Sequence, residues 1–202
     1  MHDIIEIKNI IPIDYQDHLL TLMTGMEFPW VFNKNMVSGD DCFTEQENNH
    51  AGFNHFFYEN IEVKSALFQI VYPLVLSITS QNNPGFNRLT RMRANLTLCN
   101  TSSKLENHMP HIDSYFPHWN AIYYVNDSDG DTVIFNETND EFDPGLDDVI
   151  RIKENKFTIA KRITPEKGKI VIFPGKYYHS SSFSRQTKYR CVINMNFDKI
   201  SI

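Results

Sequence analysis

The sequence predicts a mainly β domain, a β-sandwich or jelly roll with N-terminal helices packed on one sheet. Helical spacing of apolar residues occurs only before the turn Asn82-Asn83-Pro84-Gly85. After that turn the chain consists of short alternating or β-branched runs separated by turn residues. Helices that precede a series of strands in the chain are expected to pack on the sheet that those strands form. No repeat or Pro/Gly/Ser-rich linker interrupts the 202 residues, so a single domain spanning 1–202 is expected.

The N-terminal part is predicted to contain one strand and two helices. Residues 4–11 alternate between apolar and polar and indicate a short strand. Asp14 offers an N-cap for a helix over 15–23. Apolar residues at helical spacing indicate a second helix over 66–78, although Pro73 should kink or end it.

Residues 25–60 lack a clear period and are rich in aromatic side chains. Long irregular segments near a cleft are often functional, so we interpret this segment as a lid. Its aromatics, such as Trp30 and Phe56, could cover a substrate or fill the core, and the sequence does not separate the two. The expected organisation is therefore a helical and irregular support and lid over 1–90, followed by a β core over 91–202.

Six short segments are predicted to form the strands of that core. They are 91–98, 119–125, 132–135, 157–163, 169–173 and 189–197. Apolar residues alternate strictly in the first segment, which indicates a strand with one face buried.

A candidate metal site begins with His111-Ile112-Asp113. In a strand, residues i and i+2 point to the same face, so this imidazole and carboxylate could chelate one ion. One such pair is expected by chance in a chain of this composition, so a third ligand is required. His179 follows the strand and turn Phe173-Pro174-Gly175 and can supply it. Two histidines and one carboxylate leave three open positions, which suits non-haem Fe(II) acting with O₂.

Arg190 follows His179 inside the last predicted strand. A 2-oxo diacid bound to the metal would leave its far carboxylate buried, and a guanidinium can neutralise it with two parallel hydrogen bonds. The alternative is a surface charge on an edge strand.

Four motifs in this order resemble a known family. Residues 110–113, 118–126, 129–135 and 165–174 resemble the prolyl 4-hydroxylase-like branch of the Fe(II)/2-oxoglutarate oxygenases. In the irregular segment, Phe28-Pro29-Trp30 is similar to compact members of this branch from phages and marine bacteria. The resemblance covers about residues 91–197. The family's Gly-Gly-Glu-Thr turn reads Asp129-Gly130-Asp131-Thr132 here, which is a mild departure.

The resemblance implies a double-stranded β-helix, the cupin-like jelly roll. It implies that His111, Asp113 and His179 form the catalytic metal site, and that Arg190 and Tyr124 bind the far carboxylate of 2-oxoglutarate. Asn95 or Thr97 could also reach that co-substrate. Fe(II), 2-oxoglutarate and O₂ are the expected cofactor and co-substrates, with ascorbate as an optional reductant.

The expected reaction is hydroxylation of an unactivated C–H bond, with peptidyl proline as one candidate substrate. A cupin-like metal- or ligand-binding module without turnover is the alternative. A peptide or a small molecule is the expected partner, and nucleic acid is less favoured because the chain is acidic overall, with a net charge of −6. Arg88, Arg91 and Arg93 could meet an anionic substrate or pair with acidic residues.

Acidic residues dominate before residue 150 and basic residues after it. This asymmetry indicates either a basic binding face or opposite charges that interleave in the fold. The N-terminus has no secretory signal pattern, no run of apolar residues is long enough to span a membrane, and the three cysteines form no CxxC pair. A cytoplasmic location is therefore expected, and the oligomeric state is not predicted.

Overall fold

The computed structural model describes residues 4–34, 36, 51–81, 84–142 and 156–199. Within them the chain forms two helices, α1 (Ile13–Thr24) and α2 (Phe68–Gln81). The strands are β1 (Ile5–Ile7), β2 (Val31–Asn33), β3 (Gly52–Glu59), β4 (Glu62–Val63), β5 (Phe86–Leu98), β6 (His118–Tyr124), β7 (Thr132–Thr138), β8 (Ile159–Ile163), β9 (Ile170–Pro174), β10 (Tyr177–Ser181) and β11 (Tyr189–Lys199). The predicted fold class, mainly β with N-terminal helices, is confirmed.

The strands form two antiparallel sheets. The larger sheet has the order β1-β9-β6-β11-β5-β3-β2, with β4 paired to β3, and the smaller sheet has the order β10-β7-β8. Tyr124 of β6 and Val192 of β11 belong to the same buried cluster as Ile134 of β7 and Ile163 of β8. The two sheets therefore face each other across an apolar layer, which is the jelly-roll arrangement.

The other face of the larger sheet carries the main core. Alternate residues of β5 and β11, including Met92, Ala94, Ile193 and Met195, are fully buried there. The two helices supply the opposing side chains. These are Leu19 and Met23 of α1 and Phe68, Val71, Leu74, Val75 and Ile78 of α2. The period-2 pattern of β5 thus leaves its polar residues on the inner face, between the two sheets.

Both helices differ slightly from the sequence prediction. Helix α1 begins after Pro12, so Asp14 lies in the first turn instead of capping it. A carboxylate there still favours the positive end of the helix dipole. Helix α2 contains Pro73 and nevertheless continues to Gln81, because the burial of its apolar face offsets the one lost backbone hydrogen bond. Neither helix has the length and apolar character that crossing a bilayer would require.

Strand β3 was not predicted, because its segment looks irregular in sequence. Strand β3 is an aromatic segment between polar residues, and it pairs with β5, which is distant in the chain. Phe57 of β3 is fully buried against Phe28, so this part of the predicted lid belongs to the core. Residues 37–50 of the predicted lid lie outside the described residues.

Charges from the acidic and basic halves of the sequence interleave at the surface. Lysines and arginines after residue 150 pair with acidic residues before it. The pairs are Lys161–Glu6, Lys167–Asp17, Arg162–Glu106 and Lys176–Asp140. This observation favours the interleaving interpretation of the charge asymmetry over a separate basic face.

Asp129 ties the connection between β10 and β11 to the turn before β7. Its carboxylate accepts backbone hydrogen bonds from residues 185, 186 and 187 at 2.8, 2.9 and 3.0 Å, and a fourth from the Thr187 hydroxyl at 2.6 Å. Burial acts to raise the pKa of Asp129, but these hydrogen bonds outweigh it and hold that pKa below its ordinary value.

We expect Asp129→Asn to lower the free energy of unfolding by about 1.5–3 kcal/mol, because one oxygen acceptor becomes an amide that faces backbone N–H groups. A depressed folded-state pKa stabilises the protein fully above the unfolded-state pKa of about 3.9, and this contribution is lost as the pH falls below it. Urea unfolding at pH 7 and pH 3 measures both effects. Asp140→Asn, at an exposed ion pair, is the control, with an expected loss below about 1 kcal/mol. Equal losses in the two variants would contradict the assignment.

Candidate active site

Three side chains with metal-binding atoms meet between the two sheets. The nearest ligand atoms of His111, Asp113 and His179 all lie within 4.8 Å of one another. Each carboxylate oxygen of Asp113 lies 3.8 Å from the Nε2 atom of one of the histidines. The structure thus brings together the three residues that the sequence analysis selected.

The backbone around His111 and Asp113 differs from the predicted strand. His111 and Asp113 lie in the connection between β5 and β6 instead of a regular strand. His111 forms an isolated antiparallel bridge with His179 of β10, with hydrogen bonds of 3.0 Å in both directions. The bridge, rather than a ladder, positions the imidazole of His111 beside that of His179.

Backbone carbonyls fix the orientation of both imidazoles. Nδ1 of His111 lies 3.1 Å from the carbonyl oxygen of Met109, and Nδ1 of His179 lies 3.3 Å from that of Tyr177. A carbonyl only accepts, so Nδ1 carries the proton and the lone pair of Nε2 stays available. Both lone pairs are on the ring edges next to Asp113, which suits metal coordination.

Asp113 is held by three side chains from β5 and β11. Asn194 and Asn196 donate amide hydrogen bonds to its Oδ2 atom at 2.9 and 3.1 Å, and Arg91 forms an ion pair with Oδ1 at 2.9 Å. The side chain of Asp113 is only 2% exposed. Such partners orient a ligating carboxylate, and their loss typically weakens metal binding about 10- to 100-fold.

The protonation states are those that bind a cation. Burial, reinforced by His111, lowers the pKa of His179 to about 3, and burial also lowers the pKa of His111. Burial acts to raise the pKa of Asp113, but Arg91 and the two histidines hold it well below its ordinary value. At neutral pH the cluster therefore offers two neutral imidazoles and one carboxylate.

A cavity of about 570 Å³, including the open space at its mouth, extends from this cluster. Polar side chains of β5, β7 and β11 line it together with apolar walls from Ile122 and Val192. Met36, which precedes the undescribed segment 37–50, also contributes to the wall.

Arg190 lies buried in the wall of the cavity. Its Nε atom donates to the carbonyl of Gly130 and its Nη2 atom donates to the Thr132 hydroxyl, each at 2.8 Å. Within the part of the chain that the structure describes, Nη1 makes no hydrogen bond. Arg190 is thus a buried cation with an unused donor in a pocket, and not the surface charge that was the alternative.

Thr132 links Arg190 to Tyr124. The Tyr124 hydroxyl, fully buried, donates to Oγ1 of Thr132 at 2.8 Å, so this oxygen accepts from two donors. Its own hydrogen remains to donate, and Thr132 lines the cavity whereas Tyr124 does not. The predicted contact of Tyr124 with the co-substrate therefore remains a prediction, and the structure gives the cavity-facing position to Thr132.

Gly130 allows Arg190 to lie against the backbone. A Cβ atom at this position would be 2.7 Å from Oγ of Ser184 and 3.1 Å from Cδ of Arg190. The turn 129–132 therefore needs glycine for close approach. This explains one position of the motif that the sequence analysis matched only mildly.

Asn95 and Thr97 both line the cavity from β5, as the sequence analysis considered. The side-chain oxygen of Asn95 is buried without a hydrogen-bond partner in the described structure. An unpaired buried acceptor is costly, which indicates that this atom meets a ligand or water. Thr97 lies opposite Arg190 in the β5–β11 register, and Asn95 lies opposite Val192.

Several functional candidates were missed or underrated from sequence. Asn194 and Asn196 hold Asp113 by hydrogen bonds. Their positions alternate with apolar residues along β11, which places them on the same strand face as Arg190, and this pattern could have identified them from sequence. His108, which the sequence analysis did not select, is buried, lines the cavity and packs on Phe183 with ring centroids 3.8 Å apart.

The chain is a jelly roll with three potential metal ligands, His111, Asp113 and His179, between its sheets, and it shares this fold with solved 2OG-Fe(II) oxygenases. The chain is similar to a Pseudomonas putida prolyl-4-hydroxylase, with a TM-score of 0.58 and 13% identity, over 99% of this chain and 94% of that one. No model of a known protein family matches the sequence, and no curated protein matches it either.

Two further solved structures share the fold. A prolyl hydroxylase from Trichoplax adhaerens, in complex with a peptide fragment of hypoxia inducible factor, gives a TM-score of 0.59 and 11% identity over 98% of this chain and 84% of that one. SnoN, a non-heme α-ketoglutarate-dependent epimerase from nogalamycin biosynthesis, gives a TM-score of 0.62 and 12% identity over 97% of this chain and 78% of that one. At such identities the likeness establishes the fold, and the activity must be argued from the site.

Proposed function

We propose that this protein is an Fe(II)- and 2-oxoglutarate-dependent dioxygenase that hydroxylates an unactivated C–H bond. The observation that carries the proposal is that one cavity is lined both by the two histidines of the His-Asp-His cluster and by a buried guanidinium with an unused donor. A metal-binding module without turnover needs the first feature only. A 2-oxo diacid that chelates the metal needs both, because its far carboxylate must be neutralised away from water.

The residues of the site have distinct roles in this proposal. His111, Asp113 and His179 hold the metal, while Asn194 and Asn196 keep the carboxylate of Asp113 in place. The metal, the keto acid and O₂ supply the oxidising power when bound.

Arg190 and the Thr132 hydroxyl provide the donors for the far carboxylate of the co-substrate. Ile122 and Val192 provide apolar walls that exclude water from the space around it. Asn95 contributes a polar atom to the same cavity wall, so the proposal keeps it as a further contact of the co-substrate.

Peptidyl proline is the first substrate class to examine. Two of the structural neighbours are prolyl hydroxylases, and one of them was solved with a peptide. Another neighbour is an epimerase, so the shared fold also supports other reaction outcomes. A small-molecule substrate therefore stays in the set to be screened.

The decisive experiment separates metal binding from co-substrate binding and from turnover. Under nitrogen, with Mn(II) in place of Fe(II), calorimetry should detect 2-oxoglutarate binding that depends on the metal. With Fe(II) and O₂, the protein should form succinate, and a panel of proline-rich peptides, free amino acids and single-stranded DNA should identify what accelerates it. Metal binding without any 2-oxoglutarate binding would favour the cupin-like module and refute the proposal.

A further inference from the structure

Arg93 is a second arginine of the cavity, partly buried, and it has no role in the site described so far. It lines the cavity from the inner face of β5. In the part of the chain that the structure describes it makes no hydrogen bond or ion pair. Its Nε atom is buried without a partner. Its guanidinium carbon lies over the ring of Phe56 on β3, 5.6 Å from the ring centroid.

The position of Arg93 is close to the metal cluster and away from the anchor for the co-substrate. In the β5–β11 register Arg93 lies opposite Asn194, which donates to Asp113, whereas Thr97 lies opposite Arg190. Four residues along a strand separate the two positions by about 13 Å. One short diacid anchored at Arg190 therefore leaves Arg93 beside the reacting end of the cavity.

The balance of charges around the cavity indicates that Arg93 lacks a counterion. In the proposed complex the Fe(II) ion, the 2-oxoglutarate dianion, Asp113 and Arg190 together carry no net charge. Arg91 and Arg93 then remain. Besides Asp113, which is already counted, the acidic group that acts on Arg93 is Glu59, the cross-strand neighbour of Arg91. Burial and the nearby Arg91 lower the pKa of Arg93 to about 10, so it stays charged at neutral pH. A cation that is largely withdrawn from water and has no counterion of its own is costly unless a ligand supplies the anion.

We infer that the substrate carries an anionic group, a carboxylate or a phosphate, which Arg93 binds beside the metal. The inference rests on the proposed function and adds the chemical class of the substrate. The guanidinium offers a planar fork that matches either group, and Phe56 holds it in place by stacking. Arg93 thus selects the substrate, while Arg190 selects the co-substrate.

The test uses inorganic phosphate as the probe and the Mn(II)-loaded protein, saturated with 2-oxoglutarate under nitrogen. Phosphate bound beside Mn(II) relaxes faster in ³¹P magnetic resonance, so a titration gives both proximity and affinity. The wild type should show saturable relaxation enhancement. Arg93→Gln should weaken phosphate binding by at least about 30-fold. Arg93→Lys should retain part of it.

The matched control is Arg88→Gln on the same strand. Arg88 is exposed and pairs with Asp198 at the surface, so phosphate binding should equal that of the wild type. Absence of saturable binding to the wild type, or equal binding to wild type and Arg93→Gln, would overturn the inference. So would a loss of 2-oxoglutarate affinity in Arg93→Gln as large as its loss of phosphate affinity, because Arg93 would then serve the co-substrate.

The same titrations keep this inference separate from the proposed function. Binding of 2-oxoglutarate to the Mn(II) protein is measured first and tests the proposed function alone. If it is absent, the proposed function fails, and the phosphate titration is repeated on the protein loaded with Mn(II) only. Circular dichroism of Arg93→Gln and Arg93→Lys checks that both variants fold.

Discussion

Asp113→Ala should abolish metal-dependent succinate formation and reduce Mn(II) binding to the background of a protein without a site. The substitution removes the only carboxylate of the cluster and leaves two neutral imidazoles, which bind a divalent ion far more weakly. Electron paramagnetic resonance of free Mn(II) under nitrogen measures the binding. Succinate formed from 2-oxoglutarate under O₂ measures turnover.

The controls for Asp113→Ala separate loss of the site from loss of the fold. Asp140→Ala removes an exposed carboxylate and should keep both metal binding and turnover. Asn194→Ala removes one of the hydrogen bonds to Asp113, and it should weaken Mn(II) binding about 10- to 100-fold while leaving a functional site. Turnover by a folded Asp113→Ala variant at the wild-type rate would exclude the assigned site.

Arg190→Met should raise the dissociation constant of 2-oxoglutarate by about 30-fold to several thousand-fold. Truncating one partner of a buried charge pair costs roughly 2–5 kcal/mol, because the remaining charge stays desolvated. The effect should appear in the KM for 2-oxoglutarate more than in kcat at saturation. Arg190→Lys keeps the charge but loses the fork geometry, so it should lie between wild type and Arg190→Met.

A ligand without the far carboxylate provides the matched control for Arg190. 2-Oxovalerate has the same carbon chain as 2-oxoglutarate but ends in a methyl group. Its affinity for the Mn(II) protein should be low in the wild type and nearly unchanged in Arg190→Met. If the two keto acids lost affinity equally in the variant, Arg190 would act on the metal end of the cavity or on the fold, and not on the far carboxylate.

Most strands of the core, with the exception of β10, were predictable because their periods are local. The alternation in β5 and the β-branched and aromatic runs in β6, β9 and β11 can be read from the sequence directly. Strand β3 could not be found in this way, because its stability depends on pairing with β5. Its own sequence, an aromatic run between polar residues, lacks a clear period.

The metal cluster was predictable in composition but not in local geometry. The spacing of His111 and Asp113 indicated a strand, whereas the structure positions His111 by a single bridge to His179. Tertiary contacts decide such a connection, and a sequence pattern does not contain them. The arginines of β5 were noticed as a basic cluster, but only the register of β5 against β11 separates the exposed Arg88 from Arg93 in the cavity.

The missing side chain at Gly130 has a consequence for chain-length selectivity. Because Arg190 lies against the main chain there and its Nε atom donates to the Gly130 carbonyl, its side chain is held in one position. In the proposed complex, the distance between this fixed guanidinium and the three metal ligands would select dicarboxylic keto acids by chain length. A diacid one carbon shorter, such as oxaloacetate, would be too short to contact both the metal and Arg190. A longer homologue would have to bend its carbon chain to fit between them.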